Sequence, residues 1–180
     1  MSLSDHFELL AIYNQWINSK FYEAAGHLSA TELTTDRGAF FGSILGTMNH
    51  ILVGDVIWLK RFATHPSCVT SLREVGDLPK PISLNQIVFD DFGRLSEHRA
   101  WLDQEIIDWI AELSDGDLDF ILSYSNSKGV PANKRYSSLV LHFFNHQTHH
   151  RGQVSTLLSQ AGVDIGVTDL LAQIPEESHV

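Results

Sequence analysis

Leu139-Val140-Leu141-His142-Phe143-Phe144-Asn145-His146-Gln147-Thr148-His149-His150-Arg151-Gly152-Gln153-Val154 carries four of the chain's ten histidines. Its apolar residues recur at steps of three and four, the signature of an amphipathic helix. At about 100° per residue, with His142 at zero, Leu139 and Leu157 fall near 60° and Phe143 near 100°. His146 falls at about 40° and His150 at about 80°, inside that apolar arc. Both imidazoles therefore point inward on adjacent turns. An i, i+4 pair of this kind brings two ring nitrogens within reach of one cation. His142 sits at the rim of the arc and His149 lies beyond it. The helix is expected from Ser137 to Ala161, with Gly162 placed to cap its end.

Working outward, three more long helical patterns precede it. One runs from Ser4 to Leu28 on Phe7, Leu10, Tyr13, Ile17, Phe21 and Ala24. The second runs from Arg37 to Ala63, stopped by Pro66. The third is expected to begin at a Ser83/Gln86 capping box and to end at Leu113. From Leu118 to Tyr136 the period shortens to two, then Asn126-Ser127-Lys128-Gly129 intervenes, which predicts a short strand or hairpin. A short helix is expected near Thr168–Gln173. The fold class is all-α: an antiparallel four-helix bundle with a strand-like insert before the last long helix. Residues 1–180 read as one domain, since no repeat or linker divides them.

Composition narrows the function classes. Lys and Arg total 12 against 22 Asp and Glu, a formal charge of −10. Such a surface repels a phosphate backbone, so nucleic acid is not an expected partner. No apolar run approaches the roughly 18 residues that cross a bilayer, and the start Met1-Ser2-Leu3-Ser4-Asp5-His6 lacks the basic, apolar pattern of a leader. A cytoplasmic protein without a membrane partner is expected. The single cysteine, Cys68, excludes an intrachain disulfide and a multi-cysteine zinc site; it reads as structural or incidental.

Two histidines from one helix do not complete a metal site. From the residues alone, the third donor is open among His50, His98, His27 and His6. His50 shares a helical stripe with Ser43, Gly46, Thr47 and Gly54. Small side chains there leave room either for a cavity or for a close helix approach.

The string His146-Gln147-Thr148-His149-His150-Arg151-Gly152-Gln153 resembles the fourth-helix signature of the DinB family of four-helix proteins. The stretch from Arg37-Gly38-Ala39-Phe40-Phe41-Gly42-Ser43 to Met48-Asn49-His50 is similar to the family's second helix, as is Asp55-Val56-Ile57-Trp58-Leu59-Lys60-Arg61-Phe62. The resemblance covers nearly the whole chain. It implies a divalent metal, Zn or Ni, held by His50, His146 and His150, with His50 resting on the resemblance alone. It also implies a homodimer. The second helix, apolar around most of its circumference apart from Asn49 and Lys60, fits packing on two sides.

Three neutral imidazoles leave a coordination position open for chemistry. Zincin-type hydrolysis is disfavoured, because Gln147 stands where that motif needs a Glu base. The repeated Glu-x-x-His of a di-iron site is lacking. The resemblance implies instead a metal-dependent transferase using a low-molecular-weight thiol, or a hydrolase of a small molecule. The alternative is a non-catalytic, metal-binding or stress-related dimeric bundle. No catalytic residue is assigned. Gln153, at about 20° on the same wheel, is the best partner for a ligand imidazole, ahead of Asn49 and Asp55. His142 reads as a pocket residue or a rim histidine, His149 as partly exposed, and Arg151 as a surface ion-pair former. Gly152 reads as the site of a close helix crossing. Trp16, Trp58, Trp101 and Trp109 read as core.

Overall fold

The computed structural model describes residues 2–68, 70–126 and 128–176. Among them are seven α-helices and one two-stranded sheet. Four helices are long: α1 (Leu3–Ala25), α3 (Ile44–Phe62), α5 (Phe92–Ala111) and α7 (Tyr136–Gln160). Short helices α2 (Ala30–Thr34), α4 (Arg73–Asp77) and α6 (Asp115–Leu118) lie in the connections. Strands β1 (Ile121–Ser125) and β2 (Pro131–Arg135) pair antiparallel, Ile121 opposite Arg135, as the alternating segment predicts. The tail turns once in 3-10 geometry at Leu170–Gln173.

The helix ends follow their side chains. Ser2, Ser29 and Ser114 cap α1, α2 and α6 in reciprocal boxes with Asp5, Glu32 and Asp117. Gly162, at φ 81°, closes α7, and the Val163 N–H reaches back to the Leu158 carbonyl.

Two expected boundaries are wrong. The second long helix begins at Ile44, capped by Ser43, because residues 37–42 form a tight turn in which Gly38 and Gly42 take positive φ. The third begins at Phe92, capped by Asp91, and not at the Ser83/Gln86 box. Gln86 does accept the Ile82 N–H at 2.8 Å, but the following backbone is claimed by α3. Asn49 takes the Val88 and Phe89 N–H groups at 2.8 and 3.0 Å and donates to the Phe89 carbonyl at 2.9 Å. Those bonds replace a helical ladder, and Leu84 and Val88 lie exposed.

Contacts order the long helices as α1 beside α5, α5 touching α3, α3 beside α7, and α7 beside α1. Asn14 meets Asp103 while Tyr22 meets Phe92, so α1 and α5 run in opposite directions. His50 meets His150 while Trp58 meets His142, so α3 and α7 do the same. The connection from α3 to α5 is long and includes α4.

Trp109, Tyr136, Phe62 and Phe143 are fully buried together, with Phe62 stacked on Trp109 at 5.1 Å. Next to this core lies a buried polar network. Arg99 pairs with Asp55 at 2.5 Å and Asp103 at 2.8 Å. Asn14 and Asn18 donate to Asp103 at 2.9 Å, Gln147 donates to Asp55 at 2.8 Å, and Arg151 donates to Asn14. All four long helices contribute. Unpartnered, these groups would each cost several kcal/mol, about the scale of a domain's whole stability.

α3 is buried without a break from Ile44 to Val56 within one chain. Its apolarity is used inside the molecule and carries no argument for a second copy. Among the described residues no helix is long and apolar enough to cross a membrane.

Candidate metal centre

The inward pair predicted on α7 is present. His146 and His150 have ring centroids 4.4 Å apart, and His50 on α3 lies 5.4 and 4.3 Å from them. One donor atom from each lies within 4.8 Å of the others. Among the described residues, this is the group of His, Cys, Asp and Glu side chains spaced to hold a metal ion. His50 is 4% exposed and His150 9%, with His146 half-buried.

Hydrogen bonds fix the tautomer of His50 and assign that of His150. His50 Nδ1 lies 2.7 Å from the Leu84 carbonyl oxygen, which can only accept. His150 Nδ1 lies 2.8 Å from Gln153 Oε1, likewise an acceptor. His50 Nδ1 therefore carries the proton; with Gln153 Oε1 turned toward it, His150 Nδ1 does so too, and each Nε2 then presents a lone pair. Those two Nε2 atoms face each other at 3.0 Å. Two lone pairs at that range repel unless a cation lies between or beside them. Nitrogens each about 2.0–2.1 Å from a zinc-sized ion stand about 3 Å apart in a tetrahedral or octahedral site. The donor set thus fits a divalent metal, and its outward nitrogens are held as metal-binding imidazoles usually are.

Packing sets the ring positions. Phe41 stacks on His50 at 3.7 Å and meets His150 edge-on at 5.6 Å. Gly54 faces His146 so closely that an added Cβ would lie 2.5 Å from Cε1. The small-residue stripe of α3 is therefore a seat for an imidazole. Burial pushes all three histidines below their ordinary value of 6.5; for His146, reinforced by its histidine neighbours, to about 3. At neutral pH all three are uncharged, the state a metal requires.

The other expectations divide. Gln153 does bond to His150, one of the candidate donors. Asn49 touches no imidazole and instead pins the 88–89 backbone. Asp55 lies in the buried network, engaged by Arg99 and Gln147. His142 is exposed, edge-on to Trp58 at 5.0 Å and 6.2 Å from His146, outside the donor group. His149 is exposed and edges His150 at 4.8 Å. Arg151 is not a surface residue. It is 5% exposed, because its side of α7 faces the asparagines of α1. Gly152 has nothing within 4 Å of a Cβ, so no close crossing lies there; the tight glycine is Gly54, against the His146 ring. Trp109 is core, whereas Trp16, Trp58 and Trp101 are half-buried against it. Cys68 is buried with Sγ 3.3 Å from the Tyr136 hydroxyl, and burial pushes its thiol up. It is no nucleophile. Leu84, Phe41 and Gln147 were not readable as site or network residues from sequence.

The DinB family model matches residues 1–178. The chain is 24% identical over 169 residues to Protein DinB of Bacillus subtilis (strain 168), covering 93% of this chain and 92% of that protein. No solved structure matches the chain. With a match over nearly its full length, and with a histidine trio built from the two helices that carry the resemblance, the chain belongs to the DinB family.

Proposed function

We propose that His50, His146 and His150 bind one divalent metal, Zn or Ni, and that the protein is a metal-dependent enzyme acting on a small molecule. The observation that supports the metal site is the opposition of the His50 and His150 Nε2 atoms at 3.0 Å, each ring bonded at its Nδ1. The scaffold of this reading is one bundle domain over residues 1–180, in which the pairs α1/α5 and α3/α7 are each antiparallel and lie side by side. It carries over the expected homodimer and the cytoplasmic setting.

Bound there, a metal with an open position supplies a Lewis acid that can hold a thiol as thiolate or polarise a carbonyl. The chain's own groups favour the thiol route. The carboxylate nearest in sequence to the α3 seat, Asp55, is 0% exposed and paired through Oδ2 with Arg99, so solvent does not reach it for deprotonation. A thiol cosubstrate would need no such base, because a metal held by His50, His146 and His150 would favour its thiolate form and the proton would pass to solvent. Gln153 and the Leu84 carbonyl keep two imidazoles turned toward the centre, and Phe41 excludes water from one face of His50. The reaction class proposed is transfer of a low-molecular-weight thiol to an electrophile.

Untagged protein with Zn or Ni restored is assayed with bacillithiol, mycothiol and glutathione against a small electrophile. Metal-dependent turnover with one thiol, lost in His146→Ala, is expected. Inactivity with all three, alongside full metal content, points to the non-catalytic metal-binding bundle instead.

A further inference from the structure

The turn at residues 37–42 and the later part of α7 enclose an open cavity of about 390 Å³ beside the histidines. Its walls include Arg37, Phe40, His149, Gln153, Thr156 and Gln160. The chain has a formal charge of −10, yet none of the described residues lining this cavity is Asp or Glu. Arg37 supplies a cation that can only donate. The Nε of Arg37 is buried and has no hydrogen-bond partner among the described residues. Its Nη2 reaches the Glu32 carbonyl at a long 3.3 Å. Gln153, which lines the cavity, spends its Oε1 on His150 and keeps its amide N–H groups to donate.

The turn is shaped for two neighbours at once. Gly38 and Gly42 take φ of 69° and 75°, and the Arg37 N–H closes the turn on the Gly42 carbonyl at 2.8 Å. Phe41 is thereby laid on His50, while Phe40, edge-on to Phe41 at 4.8 Å, stands 88% exposed at the cavity. An aromatic ring left in water beside a cavity lined by a guanidinium has contact area to offer a ligand. Small-molecule sites of this kind pair a few placed polar groups with an apolar wall, at volumes of about 300–1,000 Å³.

We propose that this cavity binds a small carboxylate-bearing molecule, its anionic end on Arg37 and the Gln153 amide and its body against Phe40. A guanidinium and a side-chain amide together match the two oxygens of a planar carboxylate. Because Gln153 also holds His150, the bound acid lies one side chain from the proposed metal. The proposal deepens the proposed function by naming its substrate class, an acidic small molecule, and rests on that reading for its link to catalysis.

The test is a titration of the full chain with succinate and with its neutral analogue succinamide, followed by NMR. Metal content is measured on the same samples. Succinate is expected to shift the Gln153 side-chain amide and the His149 resonances, and to bind about tenfold or more tightly than succinamide. Arg37→Met should weaken succinate by about tenfold or more. Thr156→Glu, at an exposed helical position, places a carboxylate in the cavity and should abolish binding without unfolding the helix. Equal affinity for the two probes, no shift at Gln153, or unchanged succinate binding in both variants overturns the proposal. If the protein takes up no metal but succinate binding keeps its Arg37 dependence, the metal reading fails and the cavity stands. Normal metal uptake with no succinate binding is the reverse outcome.

Discussion

His50 and His150 present their Nε2 atoms to each other at 3.0 Å, although one hundred residues separate them in the chain. Neither ring can turn away cheaply, because each is bonded at its other nitrogen, to Leu84 and to Gln153. The folded chain thus holds two donor nitrogens against each other, and a bound cation would relieve their repulsion.

Gln153 should matter for metal affinity more than for folding. It is a half-buried helical residue whose Oε1 bond to His150 Nδ1 is its contact with the site. Gln153→Ala is expected to weaken metal binding by about 10–100-fold, the usual effect of losing such a partner. A chelator-competition titration reads this, and the melting temperature of the metal-free protein should hardly move.

Gly54→Ala should disturb the same centre from the opposite side. Its Cβ would sit 2.5 Å from the His146 ring, which must then shift. An overpacked core site costs about 1–3 kcal/mol, and here the displaced group is a proposed ligand. Denaturant unfolding of the metal-free protein and metal titration should both register the change.

Arg99→Met leaves Asp55 and Asp103 buried without their cation. Removing one partner of a buried ion pair typically costs about 3–5 kcal/mol. The variant should therefore unfold at much lower denaturant concentration, as equilibrium urea unfolding would show. Replacing the exposed pair partner Arg135 should change the midpoint little, since its ion pair with Asp119 is solvated.

Asp117 gives a pH signature. Bonds from Ser114 and Ser67 hold its carboxyl down to about 2, below the ordinary 3.8. A group lowered on folding stabilises the fold above its ordinary value, and that stabilisation is lost as pH falls through the folded value. Asp117→Asn should therefore melt below wild type at pH 7, with the gap closing as the pH falls from about 3.8 toward 2. A gap that stays constant across this range would show that the carboxylate charge is irrelevant.

The parts legible in sequence are those governed by local periodicity. α7, its inward histidines, its glycine stop and the hairpin before it follow from spacing alone. The start of α5 was illegible because the deciding residue, Asn49, lies 40 residues from the Phe89 backbone that it captures. Arg151 was misread for a related reason. The wheel places it off the apolar arc, but that side faces Asn14 and Asn18 across α1 and is buried. His50 could be located only by resemblance, since a stripe of small residues fits a cavity and a close crossing equally. The structure shows what the stripe does at Gly54, where the cleared space is filled by the His146 ring.

The most direct test is the metal content of untagged protein, supplied with Zn or Ni and then dialysed. About one divalent ion per chain is expected for wild type, falling to near zero in His50→Ala and His146→Ala, each still folded by circular dichroism. Wild-type protein that retains no metal, or a His146→Ala variant that retains a full complement, would contradict the assignment.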